Sequence, residues 1–304
     1  MATQTTYDTV GVKEDVSDVI TDIDPTETPF ISSIKDKKIT QPFFQWQTDS
    51  LAAPATNAQV EGADATFLTV TPSVMLNGYT QILEKAIVIS GSTQASEYHG
   101  RKDEVAYQIV KRGEEIKRDL EYACIGSNQA GAAGADGTAR QLTGYQAQIS
   151  SNTTTNAVTY GNALSESMVT TTMQNLWTLG GKASMLVVKA ADKLRIDGFT
   201  GTQVTGVAAA ARTRMIGSSD TTVTNVVDLY KTSFGNLSVI PSRIVNSGNA
   251  LFYEPVRWNR AVLRPWTREV LAKTGDASKQ MLVGEFGLIH YNTKASGLIT
   301  NLSA

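Results

Sequence analysis

The residues of this sequence that could do chemistry are few and stand far apart. The two histidines, His99 and His290, have no partner at the spacing of metal ligands, so both are expected to be structural. Cys124 falls on the apolar stripe of a predicted helix, where a small buried residue is expected rather than a nucleophile. No serine-nucleophile elbow, zinc-protease motif or phosphate-binding loop occurs. The sequence therefore indicates no enzyme, no metal and no cofactor.

Two charged stretches are further candidates for a binding site. The first is acidic, lacks the spacing of a calcium loop, and is interpreted as the solvated face of a short helix over 12–23. Its members are Asp15, Asp18, Asp22 and Asp24. The second interleaves arginine and tryptophan, as in surfaces that bind single-stranded nucleic acid, but we favour a strand with an exposed charged face and aromatic packing. Its members are Arg257, Trp258, Arg260, Arg264, Trp266 and Arg268.

Length and charge bound the remaining possibilities. The chain has 304 residues and a formal net charge of −2, so no general attraction to nucleic acid is encoded. Cys124 is the only cysteine, which excludes an internal disulfide. No apolar run is long enough to cross a membrane, and no secretory signal is visible.

One long helix is predicted over Glu97–Gly126, and the other elements are expected to be arranged around it. Its apolar stripe follows the helical period and consists of Val105, Ile109, Ile116, Leu120 and Cys124. The other faces carry pairs of opposite charge four residues apart, such as Glu114 with Arg118 and Lys117 with Glu121. Gly113 interrupts the stripe at a cost of about 1 kcal/mol relative to alanine.

The segments before this helix carry apolar residues that need a partner. Residues 1–36 form either a frayed terminus or, as we expect, an arm that docks, because they include Phe30 and Ile31. Residues 37–90 predict a long hairpin built from strands over Ile39–Leu51 and Thr66–Ser90. Such a hairpin is marginal alone. It therefore lies on this chain's own body or, as we prefer, under another copy.

The second half of the chain mixes helices and strands. A loop rich in glycine and alanine precedes a helix that begins at Asn162, followed by a buried strand over Met185–Val188 and a short helix over Ala190–Phe199. From Met215 onward, short apolar runs separated by turns predict antiparallel strands. The fold class is therefore α+β.

This order of parts resembles the major capsid proteins of tailed bacteriophages with the Hong Kong 97-type fold, and is most similar to the podovirus-like group. The stretches that carry the resemblance are EDVSDVITDIDPTETPFISSI, EVAYQIVKRGEEIKRDLEYA and LRPWTREVLAKTGDASKQMLVGEFGLIHYN.

The resemblance implies a domain plan. Residues 1–36 are the N-terminal arm and 37–90 the extended loop. The peripheral domain comprises 91–126, with the spine helix 97–126, and 255–292. The axial domain comprises 127–254 and 293–304. Contacts between subunits are expected at Phe30, Ile31, Phe43, Phe44, Trp46, Leu68, Val70, Arg257, Trp258, Arg264 and Trp266. Gly113 is expected to permit a bend of the spine helix.

The implied function is a major head protein whose hexamers and pentamers form an icosahedral shell around double-stranded DNA, without sequence-specific binding. The implied partners are other copies, a separate scaffolding protein, a portal protein and a decoration or cement protein, with no membrane. The implied location is the virion, after assembly in the host cytoplasm. No lysine or arginine lies between Lys38 and Lys85, so a shell without covalent cross-links is expected.

Three alternatives stay open at this point. An encapsulin-like compartment shell would share the fold and differ in its contents. A β-rich binding or adhesion module would explain the threonine- and asparagine-rich strands, but not the long helix. An enzyme with an unrecognised site would require a cleft with convergent titratable residues.

Overall fold

The computed structural model describes residues 26–65, 67–98, 103–151, 157–159, 163–199 and 228–303. The helices in this part of the chain are α1 (Pro29–Ser33), α2 (Gly91–Ala95), α3 (Glu104–Glu121), α4 (Tyr145–Ser151), α5 (Glu166–Thr178) and α6 (Ala190–Asp197). The strands are β1 (Lys35–Lys38), β2 (Phe43–Thr48), β3 (Val74–Tyr79), β4 (Gln81–Ser90), β5 (Ala157–Thr159), β6 (Met185–Val188), β7 (Leu229–Thr232), β8 (Gly235–Pro241), β9 (Ala250–Tyr253), β10 (Trp258–Val270), β11 (Ala277–His290) and β12 (Gly297–Thr300).

The strands form three sheets. The first has the order β1-β10-β11-β4, in which β1 runs parallel to β10 and the other pairs are antiparallel. The second has the order β5-β12-β9-β6-β8-β7, with two parallel pairs, β5 with β12 and β6 with β8. The third is the hairpin of β2 and β3, in register from Phe43 opposite Tyr79 to Thr48 opposite Val74. The mixed helices and sheets confirm the α+β class.

Helix α3 lies against the first sheet and is shorter than predicted. The carboxylate of Asp103 accepts hydrogen bonds from the backbone N–H groups of Val105 and Ala106, so the helix begins at Glu104 and not at Glu97. At its other end the chain continues into one π-helical turn, Tyr122–Gly126, which is buried except for Tyr122. The helical period of the sequence was therefore correct, whereas its N-terminal boundary was not.

The second sheet is buried on both faces. Val187, Leu251 and Leu298 point into a core shared with α3, the first sheet and α4. Their strand neighbours Leu186 and Phe252 point into a second core under α5. A strand that is covered on both faces has apolar residues at every position, which explains the sequence MLVV of β6.

Several expectations from the sequence are changed by the structure. The predicted hairpin arm Thr66–Ser90 splits in two, because β3 pairs with β2 while β4 pairs with β11 of the first sheet. The helix expected from Asn162 begins at Glu166, capped by Ser165. The helix expected over 12–23, its acidic residues and His99 lie outside the described residues.

Candidate assembly surfaces

The chain that leads out of the N-terminal arm is anchored to α3 by one buried carboxylate. Glu121 Oε1 accepts a hydrogen bond from the backbone N–H of Phe30, and Oε2 accepts one from Ile31, each at 2.8 Å. Both donors belong to the first turn of α1, where helical N–H groups lack intrahelical partners. Glu121 is fully buried, and its burial raises the pKa of the carboxyl to about 7 although the two N–H groups lower it. This anchor was not predicted, because Glu121 was placed on a charged face beside Lys117.

Phe30 is the apolar partner of this anchor. Its ring is fully buried and makes edge-to-face contacts with Tyr145, Tyr253 and Trp258 at centroid distances of 5.1 to 5.9 Å. It therefore belongs to this chain's own core, and the prediction that Phe30 contacts another subunit is wrong for this conformation. Ile31, beside it, is half-buried against the same core.

Trp258 is likewise fully buried, which corrects the prediction that it contacts another subunit. Its ring stacks on His290 at 3.9 Å with an interplanar angle of 8°, and its Nε1 donates to Ser296 Oγ at 2.8 Å. Ser296 Oγ lies 3.0 Å from His290 Nε2. Burial lowers the pKa of His290 to about 3, so the imidazole is neutral. This serine–histidine pair is closed to solvent and cannot reach a substrate.

Two arginines of the charged stretch are engaged with carboxylates of this chain. Arg260 makes two 2.7 Å hydrogen bonds to Asp36 of β1, and Arg257 Nε lies 3.4 Å from Glu254. Trp266 packs on Phe286, with ring centroids 4.4 Å apart. These pairs favour the simpler interpretation of the segment, a strand with one charged face.

A second buried carboxylate ties the base of the hairpin to the rest of the fold. Glu285 of β11 accepts hydrogen bonds from Thr80 Oγ1 at 2.6 Å and from Arg140 at 2.6 Å, and Arg264 donates to it at 3.1 Å. Thr80 is the residue that joins β3 to β4, and Arg140 lies in the loop after α3. Glu285 therefore connects three segments that are distant in the sequence, and no sequence motif indicated it.

The inner face of the hairpin rests on this chain's own body. Phe44 is buried and stacks on Trp46 at a centroid distance of 5.9 Å, and Trp46 Nε1 donates to the carbonyl of His290 at 2.9 Å. The Phe44 ring packs so closely on Gly78 and Gly287 that an added Cβ at either would lie 2.7 Å from it. Phe44 and most of Trp46 are thus used within the chain, whereas Phe43 on the outer face is 42% exposed.

The segment between the two hairpin strands is not covered. Residues 49–65 and 67–73 contain no helix or strand. Apolar side chains in this tip segment are almost fully exposed: Leu51 is 99%, Val60 81%, Phe67 93%, Leu68 89% and Val70 88% exposed. Because isolated apolar side chains are normal on a surface but a dense series along one segment is not, the tip segment is the strongest candidate for a contact with another molecule.

Other kinds of site find little support. In the described part of the chain, no group of three or more histidine, cysteine, aspartate or glutamate side chains is arranged to hold a metal ion. No helix described here is both long and apolar enough to cross a bilayer. Burial raises the pKa of the Cys124 thiol far above its usual range, so the thiol stays protonated and unreactive.

Comparison with known proteins places this architecture. The sequence model of the family described as SU10 major capsid protein matches residues 2–303. The chain is 28% identical to the major capsid protein of Escherichia phage Phieco32 over 344 aligned positions, which cover 96% of this chain and 95% of that protein.

Two solved structures share the fold at low sequence identity. One is the capsid of a native GTA particle, with a TM-score of 0.66, 11% identity and 98% of both chains covered. The other comes from Mycobacterium phage Cain, with a TM-score of 0.66, 11% identity, and 100% of this chain and 99% of that chain covered. These similarities confirm the Hong Kong 97-type capsid fold.

The family match separates the alternatives that the sequence left open. A match to a phage capsid family favours a viral shell over a compartment shell, an adhesion module or an enzyme. Because that match runs through nearly the whole sequence, the chain belongs to the SU10 major capsid protein family: it is a structural protein of a phage virion, it assembles with other copies into the icosahedral capsid, and it is not an enzyme.

Proposed function

We propose that copies of this chain associate into the hexamers and pentamers of the phage head through the tip segment, which lies on a neighbouring copy. One observation carries the proposal: five large apolar side chains of the tip segment are each more than 80% exposed in the single chain. Fully burying a side chain of this size stabilises by ~1.5–3 kcal/mol. A neighbouring subunit that covers the tip segment would therefore contribute several kcal/mol to each contact.

The hairpin is built to present this segment. Its base is held by the Glu285 network and its inner face by Phe44, so strands β2 and β3 have a fixed direction. The tip segment is joined to these rigid strands at both ends. An apolar segment on a rigid support loses less conformational entropy when it binds than one on a free linker.

The domain plan that the resemblance implies is part of this proposal: an N-terminal arm over 1–36, an extended loop over 37–90, a peripheral domain over 91–126 and 255–292, and an axial domain over 127–254 and 293–304. The packing of α3 on β11, and the union of β5, β6, β7, β8, β9 and β12 in one sheet, support this division. The contact residues that remain are Ile31, Phe43, Trp46, Leu68, Val70, Arg257, Arg264 and Trp266.

The remaining partners are proposed because the chain belongs to a family of phage major capsid proteins. The shell encloses double-stranded DNA without base-specific contacts, which the net charge of −2 and the self-paired arginines Arg257, Arg260 and Arg264 support. A separate scaffolding protein guides assembly in the host cytoplasm. A portal protein occupies one vertex, and a decoration protein binds the outer surface.

The test compares two variants of the chain that each replace three exposed apolar residues with serine. The first changes the tip segment at Phe67, Leu68 and Val70. The second, a matched control, changes Val110, Leu194 and Val256, which are 64%, 70% and 69% exposed outside the tip segment. Each protein is assembled with its scaffolding protein and examined by negative-stain electron microscopy and sedimentation.

The control variant and the unaltered chain are expected to form shells or rings of five and six subunits. The tip variant is expected to stay monomeric with an unchanged urea denaturation curve, because its altered side chains are almost fully exposed in the subunit. Shells formed by the tip variant as readily as by the control would refute the proposal.

A further inference from the structure

A charged cleft separates the C-terminal half of α3 from the loop that follows β8. Its volume is about 680 Å³, and its uncharged lining residues include Ile244 and Tyr122. The charged side chains that line it are Lys85, Glu115, Arg118, Asp119, Lys189 and Arg243. The function proposed above uses none of these residues.

The positive charge of this cleft exceeds what its own carboxylates neutralise. Lys85 Nζ lies 2.8 Å from Asp119 and 3.9 Å from Glu115, so both lining carboxylates already have a lysine partner. Arg118 and Arg243 have no carboxylate within 4.0 Å among the residues that the structure describes. Two guanidinium groups on opposite walls are therefore available to a negatively charged ligand.

Helix α6 adds to this positive potential. Lys189 occupies its N-terminal cap position, and its side chain makes no capping hydrogen bond. The Lys189 ammonium donates to the carbonyl of Arg243 at 2.6 Å, which holds both basic residues on the same wall of the cleft. The partial positive charge of a helix N-terminus acts in the same direction as these side chains.

We propose that this cleft binds the acidic segment 14–24 of the same chain. The segment carries Glu14, Asp15, Asp18, Asp22 and Asp24 without an intervening lysine or arginine. On the helix predicted over 12–23, the side chains of Val16, Val19, Ile20 and Ile23 share the opposite side. The carboxylates of such a segment match the basic side chains of the cleft, and its apolar side can pack on Ile244 and Tyr122.

The segment can reach the cleft of its own copy. Thr28 and Lys117 line the same cavity beside α3. Arg118, the next residue of the helix after Lys117, lines the charged cleft. An α-helix with its side chains is about 10–12 Å wide. Asp24 and Asp22 precede Thr28 by four and six residues, which span up to ~13 and ~20 Å. The Glu121 anchor fixes the start of this tether, so the local concentration of the segment at its own cleft is high.

The first experiment is carbodiimide cross-linking of the dilute full-length subunit, with mapping by mass spectrometry. Carbodiimide condenses a lysine amine with a carboxylate only where the two are in contact. The subunit is an equal mixture of isotopically light and heavy chains, which separates links within a chain from links between chains. The 2.8 Å pair of Lys85 with Asp119 serves as an internal positive control.

The expected result is a link from Lys189 or Lys85 to an aspartate of segment 14–24, with both peptides of the same isotopic form. About 1 M salt, which shortens the Debye length to ~3 Å, is expected to abolish it. Recovery of the Lys85–Asp119 link alone would overturn the proposal. Links that join light to heavy chains would also overturn it, because the segment would then bind another copy.

Two variants test the charge complementarity directly. Arg243→Asp is expected to remove the link, and combining it with Asp22→Arg is expected to restore it. Lys182→Glu, which changes an exposed lysine outside the cleft, is expected to leave the link unchanged. If Arg243→Asp leaves the link intact but weakens retention on immobilised double-stranded DNA, the cleft binds phosphate groups instead and the proposal fails.

Discussion

Replacing Glu121 with glutamine is expected to remove one of two opposing contributions to the pH dependence of subunit stability between pH 4.5 and about 7; the other, from the buried neutral His290, is the same in both proteins. The Glu121 carboxyl holds the backbone N–H groups of Phe30 and Ile31, and burial raises its pKa from 4.5 to about 7. Between these two values the folded subunit retains a proton that the unfolded chain has released. Protonation therefore favours the folded state below pH 4.5, and this contribution is lost as the pH rises through about 7.

The magnitude follows from the interval between the two pKa values. From 4.5 to about 7, at ~1.4 kcal/mol for each pH unit, the ionisation of Glu121 costs the folded state about 3 kcal/mol. Glutamine has no proton to lose and keeps one oxygen as an acceptor, so its contribution does not change over this range. Burial and, to a smaller extent, the charge of Glu121 raise the pKa of the Cys124 thiol and of the Tyr253 hydroxyl. Both neighbours of Glu121 therefore stay neutral over this range.

The assay is urea denaturation of the unassembled subunit at several pH values between 4.5 and 8, followed by tryptophan fluorescence. Relative to the Glu121→Gln variant, the unaltered subunit is expected to lose about 3 kcal/mol of unfolding free energy as the pH rises across this range. Glu115→Gln, the same substitution at a half-exposed position of α3, serves as the control and should leave that loss in place. Parallel curves for the unaltered subunit and Glu121→Gln would refute the reasoning.

Three further predictions concern single side chains, each measured by urea denaturation of the subunit. Leu120→Ala, a buried truncation beside α1, should lower the unfolding free energy by ~2–5 kcal/mol, whereas Val110→Ala, 64% exposed on the same helix, should change it by less than ~0.5 kcal/mol. Glu285→Ala should lower the unfolding free energy by ~3 kcal/mol or more, because it leaves buried hydrogen-bonding groups without a partner. Arg264→Ala, which removes a half-exposed partner of Glu285, should lower it by ~1 kcal/mol or less. Equal losses for the two variants would contradict the central place of Glu285. Gly113→Ala should raise stability by about 1 kcal/mol, because the added Cβ meets no atom within 4 Å. If Gly113 serves to bend α3 during assembly, shells of this variant should be malformed in electron micrographs, and normal shells would argue against the bend.

Much of the fold could be predicted from local patterns. The 3.6-residue period of Val105, Ile109, Ile116 and Leu120 indicated α3, because an apolar stripe is a property of neighbouring positions. The same holds for β6, whose unbroken apolar run indicated burial on both faces. The start of α3 was misplaced because charged residues are as common just before a helix as within it. In the folded chain, the capping hydrogen bonds of Asp103 fix the first residue of α3 at Glu104.

The assembly surfaces were only partly predictable. Phe30, Phe44 and Trp258 were recognised as aromatic residues in need of a partner, but their partner is this chain's own core. The hydrophobicity of a side chain predicts that it will be buried, but it does not predict which residues will cover it. Leu68 and Val70 have the same apolar character, and only their exposure in the folded chain distinguishes them from the buried aromatic residues.

Local composition and periodicity were thus enough to predict the helix, the strands and the absence of catalytic motifs, because each of these depends on residues a few positions apart. The two carboxylate networks depended on the folded chain. Glu121 meets Phe30 across 91 positions, and Arg140 meets Glu285 across 145. No local pattern encodes such pairs, because the burial that gives them their strength exists only after distant segments have packed together.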